Sequence, residues 1–236
     1  MGRGRRGARG AARPGADRVT RRRASPAPVR AQTRALAERV DEVVAGLLLE
    51  IARPDPPHGD PAILVLMGFP GVGKSHCARL LAARLRAAHV ASDGLRRQLF
   101  VAPSYAQDEN AMLFRVVDGL IERLLTARHR VIVDATHLRH DTRGSVAALA
   151  LRRDVPIAYV LVTSSEADTL ARLALRSRAR AAGDDSEADQ RVYGFMRARG
   201  FEEPNIPYRT LANGPDLSGE IDRVVAQLEE RWSAAM

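Results

Sequence analysis

The chain has 236 residues, 45% of them apolar, with a formal net charge of +9 and a pI near 10.9. That length allows one or two domains with a substantial core, and a single cysteine, Cys77, excludes an intramolecular disulfide. No apolar run approaches the ~20 residues of a membrane span and no apolar signal segment opens the chain, so a cytoplasmic protein without membrane contact is expected.

The charge is concentrated at one end. Residues 1–34 hold eleven Arg and one acid, Asp17, whereas the other 202 residues carry 26 basic and 27 acidic side chains. Arg, Gly, Ala and Pro dominate this stretch, with too few large apolar side chains to bury, so a disordered tail is expected. It could hold nucleic acid through phosphate charge, but no aromatic residue interleaves for base stacking, and any such binding would be independent of sequence. A solvated tail, or a chain start read upstream of the true one, is the favoured account.

Residues 35–52 have the period of an amphipathic helix, with Leu36, Val40, Val43, Val44, Leu47, Leu48 and Ile51 on one face. That face must pack on the main domain or on another copy, which leaves monomer and dimer both open. A Pro-rich connector follows to residue 58, and residues 59–236 read as the main domain. Within it, apolar strands are expected at 62–67, 89–92, 130–134, 155–162 and, weakly, 208–212. Helices are expected after residue 75 (with Cys77, Leu80, Leu81, Leu85 and Ala88 on its inner stripe), at 94–100, from Leu113 to Leu125, and at 141–152. Others fall at 165–180, at 186–199 and from Leu217 to Trp232, the last with Asp216 as N-cap. Strands alternating with helices imply an α/β fold, a parallel sheet covered on both faces.

The first strand runs into Gly68-Phe69-Pro70-Gly71-Val72-Gly73-Lys74-Ser75, which fits the phosphate-loop pattern G-x-x-x-x-G-K-[ST] at every fixed position. Glycines there let backbone N–H groups, through His76, curl around phosphate oxygens at a helix N-terminus. Lys74 would reach the β- and γ-phosphates of ATP, and the Ser75 hydroxyl would ligate Mg²⁺. Of the 37 basic residues Lys74 is the only lysine. The exception falls where a compact ammonium, rather than a planar guanidinium, fits between phosphates.

In such sheets ligands gather beyond the carboxyl ends of the strands. Asp134, closing the third strand before Ala135 and Thr136, stands where an acid holds Mg²⁺ directly or through water. Asp93, closing the second, is placed to accept a hydrogen bond from an attacking hydroxyl, the plainer alternative being the N-cap of the helix that follows. Arg172, Arg176 and Arg180 recur every four residues on one helix face, where they could stabilise a transferring phosphoryl group or simply pair with Asp184, Asp185 and Glu187. His76, His89, His129, His137 and His140 show no metal-ligand spacing.

With these stretches in order the chain resembles the small P-loop kinases related to zeta toxins and to the 5′-kinase domain of bacteriophage polynucleotide kinase, whose bacterial relatives are commonly labelled AAA-family ATPases. The resemblance rests on Gly68 to Ser75, on Ser92-Asp93-Gly94-Leu95-Arg96-Arg97, on Val133-Asp134-Ala135-Thr136, and on Arg172 to Asp189. The last stretch ends in the acidic Asp184-Asp185-Ser186-Glu187-Ala188-Asp189. The likeness covers residues 62 to about 212. It implies a three-layer, nucleoside-kinase-like P-loop NTPase with a five-stranded parallel sheet in the order 2-3-1-4-5 and a helical lid over ATP. By position it makes Asp93 the acid that activates the acceptor hydroxyl, Arg96 and Thr136 acceptor-side contacts, and Arg172 and Arg176 the lid arginines. The 134–136 stretch lacks the double acid of AAA+ motors, so hexameric remodelling is not implied.

The expected activity is therefore transfer of the γ-phosphate of ATP, with Mg²⁺, to a hydroxyl of a small molecule or nucleotide. The rival readings are a 5′-polynucleotide kinase aided by the basic tail, and a nucleotide-binding ATPase or switch module with no acceptor.

Overall fold

A computed structural model of the chain describes residues 27–179 and 185–234. Its centre is the strand β1 (Ile63–Met67), every residue of which is buried. Ile63, Val65 and Met67 face one core, while Leu64 and Leu66 face another. A strand with both faces covered cannot alternate apolar with polar, which is why it reads as an unbroken apolar run.

Around β1 the strands β2 (Ala87–Ala91), β3 (Arg130–Asp134), β4 (Ile157–Thr163) and β5 (Arg209–Ala212) form a five-stranded sheet in the order β2-β3-β1-β4-β5. Every pairing is parallel, as the resemblance implied. The helix α3 (Lys74–Leu85) and the closing helix α9 (Leu217–Ser233) cover one face, burying Leu81, Leu85, Val224, Leu228 and Trp232. On the other face lie α5 (Gln107–Thr126) and α6 (His140–Arg153), with Leu113, Val116, Leu120, Leu124, Val146 and Leu149 inward. Three shorter or peripheral helices, α4 (Ser92–Leu99), α7 (Glu166–Ala179) and α8 (Asp185–Arg199), stand at the carboxyl ends of the strands.

Two expectations need correction. The second strand begins at Ala87, because Arg86 takes a left-handed conformation (φ 49°) and ends α3 there. Ala87 and Ala88 then pair with Arg130 and Val131, so Ala88 belongs to the sheet and not to the helix stripe. The helix expected over 35–52 is two helices, α1 (Ala27–Glu38) and α2 (Val40–Glu50), broken at Arg39 (φ −127°, ψ 22°). α1 starts inside the stretch read as tail; its first turns are rich in Ala and Arg, which favour helix without showing an apolar stripe.

The hairpin of α1 and α2 packs on the main domain, along α5. Val44 is its buried anchor, only 1% exposed, and it sits over Gly119, where an added Cβ would lie 3.0 Å from Val44 Cγ2. The absence of a side chain at 119 lets the helices approach. Leu36, Val40, Leu47 and Ile51 extend the contact against the same core.

Between α5 and α6, burial pushes the Asp118 carboxyl up to about 6, against a lowering hydrogen bond from Ser145 and the charge of Arg152. The native state therefore favours the protonated acid, and stability should fall as pH rises from about 4 to about 6. Asp118→Asn keeps the neutral shape at all pH values. Chemical denaturation at pH 7.5 should find it about 1–2 kcal/mol more stable than the parent, a figure discounted for partial solvent contact, with the advantage fading near pH 4.

Candidate nucleotide site

The loop from Gly68 to Gly73 leaves the end of β1 and enters α3 at Lys74. Gly73 is left-handed (φ 95°) and no side chain caps α3; the His76 N–H donates to the Gly73 carbonyl (3.0 Å), which leaves the Lys74 and Ser75 amides at the helix start to face an outside acceptor. The loop is anchored from three sides. Gly68 N–H donates to the Thr136 carbonyl (3.0 Å), just past the end of β3. Gly71 lies beneath α7, so close that a Cβ there would meet Leu173 Cγ at 2.8 Å and Thr169 Cγ2 at 3.0 Å. Asn213, just beyond β5, donates from Nδ2 to the Val72 carbonyl (2.8 Å).

Lys74 is half-buried and donates from Nζ to the Phe69 carbonyl at 3.0 Å. Loss of solvent pushes its ammonium below the usual lysine range, while the charges of Asp134 and Asp93 pull it back up and that of Arg176 pushes it down again. Residues from four separate segments thus meet in the field of one ammonium. Asp134 is 4% exposed and contacts His89 Nε2 at 3.1 Å. Burial alone would raise this carboxyl, but hydrogen bonds from His89 and Ser75 and the charge of Lys74 outweigh it and hold it below its ordinary value. An ionised carboxylate beside a serine hydroxyl is a hard oxygen pair that suits Mg²⁺, an ion that takes one or two protein oxygens and completes its shell with water and phosphate. Among the described residues no cluster of His, Cys, Asp and Glu forms a metal cage of its own.

His137 belongs to the same end of β3 but turns inward. It is fully buried, its Nδ1–H donates to the Thr142 carbonyl (2.9 Å), and burial pushes it down to about 4. Cys77 is likewise fully buried, and its thiol is pushed up to about 11, so it packs and does not react.

Beside the loop opens a cavity of about 460 Å³ lined by Gly73, Ser75, His76, Arg79, Arg172, Arg176 and Asn213. Both lid arginines named from the sequence face it. Arg172 donates from Nη1 to Ser164 Oγ at 2.8 Å, and Arg176 is exposed. Arg180 and Asp184 lie outside the described residues. α8 adds a contact that no spacing announced: Tyr193 meets the ring of Phe69 edge-on with centroids 6.3 Å apart. Arg197 lies 5.9 Å from the Phe69 ring and 5.8 Å from the Tyr193 ring.

On the opposite side Asp93 is exposed in the first turn of α4, whose N-cap is Ala91, so the capping alternative is not realised. Arg96 is 6% exposed and forms a buried ion pair with Glu109. Its Nη2 also donates to Asn110 Oδ1 at 2.6 Å, and its guanidinium stacks 4.4 Å from the Tyr105 ring centroid. Glu109 also accepts from the Ser104 amide (2.6 Å), the Ser104 hydroxyl (2.8 Å) and the Tyr105 amide (3.2 Å). Burial would raise the Glu109 carboxyl, but these bonds and Arg96 hold it below its ordinary value. Arg96 thus ties α4 to the start of α5, with 64% of Tyr105 exposed beside it in a left-handed conformation (φ 56°).

The model of a family described as AAA domain matches residues 63–204. The chain belongs to the AAA domain family. No curated protein matches it in sequence. Among solved structures it is similar in fold to the Mycobacterium tuberculosis APS kinase CysC, determined with AMPPNP and APS, at 20% identity and a TM-score of 0.55 over 74% of this chain and 99% of that one. Chaetomium thermophilum Kti12, determined with ADP-AlF3, is similar at 20% identity and a TM-score of 0.55 over 72% and 98% of the two chains. A gluconokinase from Sinorhizobium meliloti 1021 is similar at 18% identity and a TM-score of 0.53, covering 74% and 95%. At these identities the likeness is one of fold.

Asn213, Ser164, Tyr193, Arg197, Glu109 and the pairing of His89 with Asp134 are additions that the sequence did not announce. Of these, Glu109 has the most measurable energetic role. Removing one partner of a buried ion pair strands the other charge, which costs about 3–5 kcal/mol, whereas replacing both with apolar residues costs far less. Glu109→Ala should therefore lower unfolding free energy by roughly that amount. In the same denaturation experiment Arg96→Met with Glu109→Leu should recover only the part owed to the stranded guanidinium, because the Ser104 and Tyr105 donors stay unpaired.

Proposed function

We propose that this protein is an ATP- and Mg²⁺-dependent phosphotransferase that moves the γ-phosphoryl group of ATP to a hydroxyl of a small molecule or nucleotide. The observation that carries this reading is the convergence on Lys74: Asp134 from β3, Asp93 from α4 and Arg176 from α7 all act on its ammonium.

In this reading the loop amides and Lys74 hold the β- and γ-phosphates, and Lys74 exchanges its contact with the Phe69 carbonyl for phosphate oxygen. Ser75 and Asp134 hold Mg²⁺, which when bound neutralises charge on the phosphates. Asp93 accepts the proton of the acceptor hydroxyl as its oxygen bonds to the γ-phosphorus. The bond to the bridging β–γ oxygen breaks, and ADP leaves with that electron pair. Arg172 and Arg176, facing the cavity, stabilise charge on the phosphoryl group in flight. Two proteins of this fold support a donor and an acceptor in one cleft: the APS kinase was determined with AMPPNP and APS together, and the other is a gluconokinase.

The test is γ-labelled ATP with Mg²⁺ and a panel of sugars, nucleosides, antibiotics and 5′-hydroxyl oligonucleotides. Label should move to one acceptor class. Lys74→Ala should lower turnover at least about 100-fold. Asp93→Asn should lower transfer by about 10²–10⁴ while ATP affinity stays within about threefold. Transfer that survives Asp93→Asn would remove that residue from the chemistry, and label released only as inorganic phosphate would favour the ATPase or switch reading. Label found only on oligonucleotides would favour the polynucleotide kinase.

A further inference from the structure

Asn213 lies 141 positions from Val72 in the chain, beyond the last strand, and no motif marks it. It is 8% exposed and lines the cavity beside the loop. Its own backbone is tied down: its N–H donates to the Thr163 carbonyl at 2.8 Å, and its carbonyl accepts from Ser164 Oγ at 3.3 Å. That same Ser164 oxygen accepts from Arg172 at 2.8 Å. The side chain therefore projects from a braced frame onto the phosphate loop.

We propose that Asn213 is a positioning residue that holds the phosphate loop in its anion-binding shape. The inference rests on the nucleotide-binding reading above and adds a residue to it. The Val72–Gly73 peptide is planar and trans, so its carbonyl and its N–H point in opposite directions. Fixing the Val72 carbonyl on Asn213 Nδ2 directs the Gly73 N–H to the other side of the chain, the side on which a phosphate would lie. Without that anchor the peptide can rotate and bring its carbonyl, a partial negative charge, toward the anion. Glycine supplies the freedom that makes such rotation easy, since Gly73 is already left-handed at φ 95°. Asn213 removes the freedom again, and the fit leaves no slack: a Cβ on Gly73 would overlap Nδ2.

The bond also explains why an amide stands here. Aspartate has the same shape but only acceptor oxygens, so it would repel the Val72 carbonyl and drive the peptide to rotate. Alanine leaves the carbonyl unanchored without adding charge. The two variants should thus differ in severity in a fixed order.

Calorimetric titration of the full-length wild type, Asn213→Ala and Asn213→Asp with ATP and Mg²⁺ tests the idea, with thermal unfolding of each nucleotide-free protein alongside. Asn213→Ala should weaken ATP binding about tenfold, the worth of one such hydrogen bond, and Asn213→Asp should weaken it further. Affinity in both variants within threefold of wild type would overturn the positioning role. So would a lowered unfolding temperature with unchanged affinity, since that marks a purely structural residue. Failure of the wild type itself to bind ATP would instead overturn the nucleotide reading and this inference with it.

Discussion

An ammonium group drained of solvent is unstable unless anions or carbonyls replace the water it lost. Lys74 meets that condition by donating to the Phe69 carbonyl and lying in the fields of Asp134 and Asp93. Much of the site follows from this one requirement. Asp134 must stay ionised to balance the lysine, and the hydrogen bonds of His89 and Ser75 keep it so against its own burial. Arg176 works in the opposite sense, and with Arg79 and Arg172 on the same cavity the positive groups outnumber the two carboxylates. A site with that surplus is poised for an anion more highly charged than any side chain nearby.

The sheet makes the arrangement possible because its central strand is the one that carries the loop. β1 has β3 on one side and β4 on the other, so the loop sits between Asp134 at the end of β3 and the α7 segment that follows β4. β2 beyond β3 brings Asp93, and β5 beyond β4 brings Asn213. Each anchor of the loop therefore comes from a different crossover connection. The two cores on either face of the sheet hold these connections at fixed spacing, and the α1–α2 hairpin thickens the core above α5.

The loop and the positions of Lys74, Ser75 and Asp134 could be placed from short, regular signals: fixed glycine spacing, unbroken apolar strands and an acid at a strand end. The strand order came only from the family resemblance, since no local signal carries it. β2 was displaced because Ala87 and Ala88 suit helix and strand alike, and the decisive left-handed turn falls on Arg86, a residue with no such habit. α1 was missed for want of an apolar stripe. Asn213 and Ser164 left no trace because their partners are distant in the chain and a polar residue after a strand is commonplace. Glu109 is thirteen residues from Arg96, across a loop whose fold depends on the pair itself. Tyr193 and Arg197 were hidden for a related reason, since their target Phe69 occupies a variable position of the loop pattern.

In the proposed site the charge around Lys74 suits a chain of phosphates and not a nucleoside or a single phosphate. The direct measurement is the affinity of the full-length protein for ATP, ADP and AMP with Mg²⁺ present. The account predicts that AMP binds at least about 100-fold more weakly than ATP, because it cannot place charge-assisted contacts on the loop and Lys74. Equal affinity for AMP and ATP would contradict it.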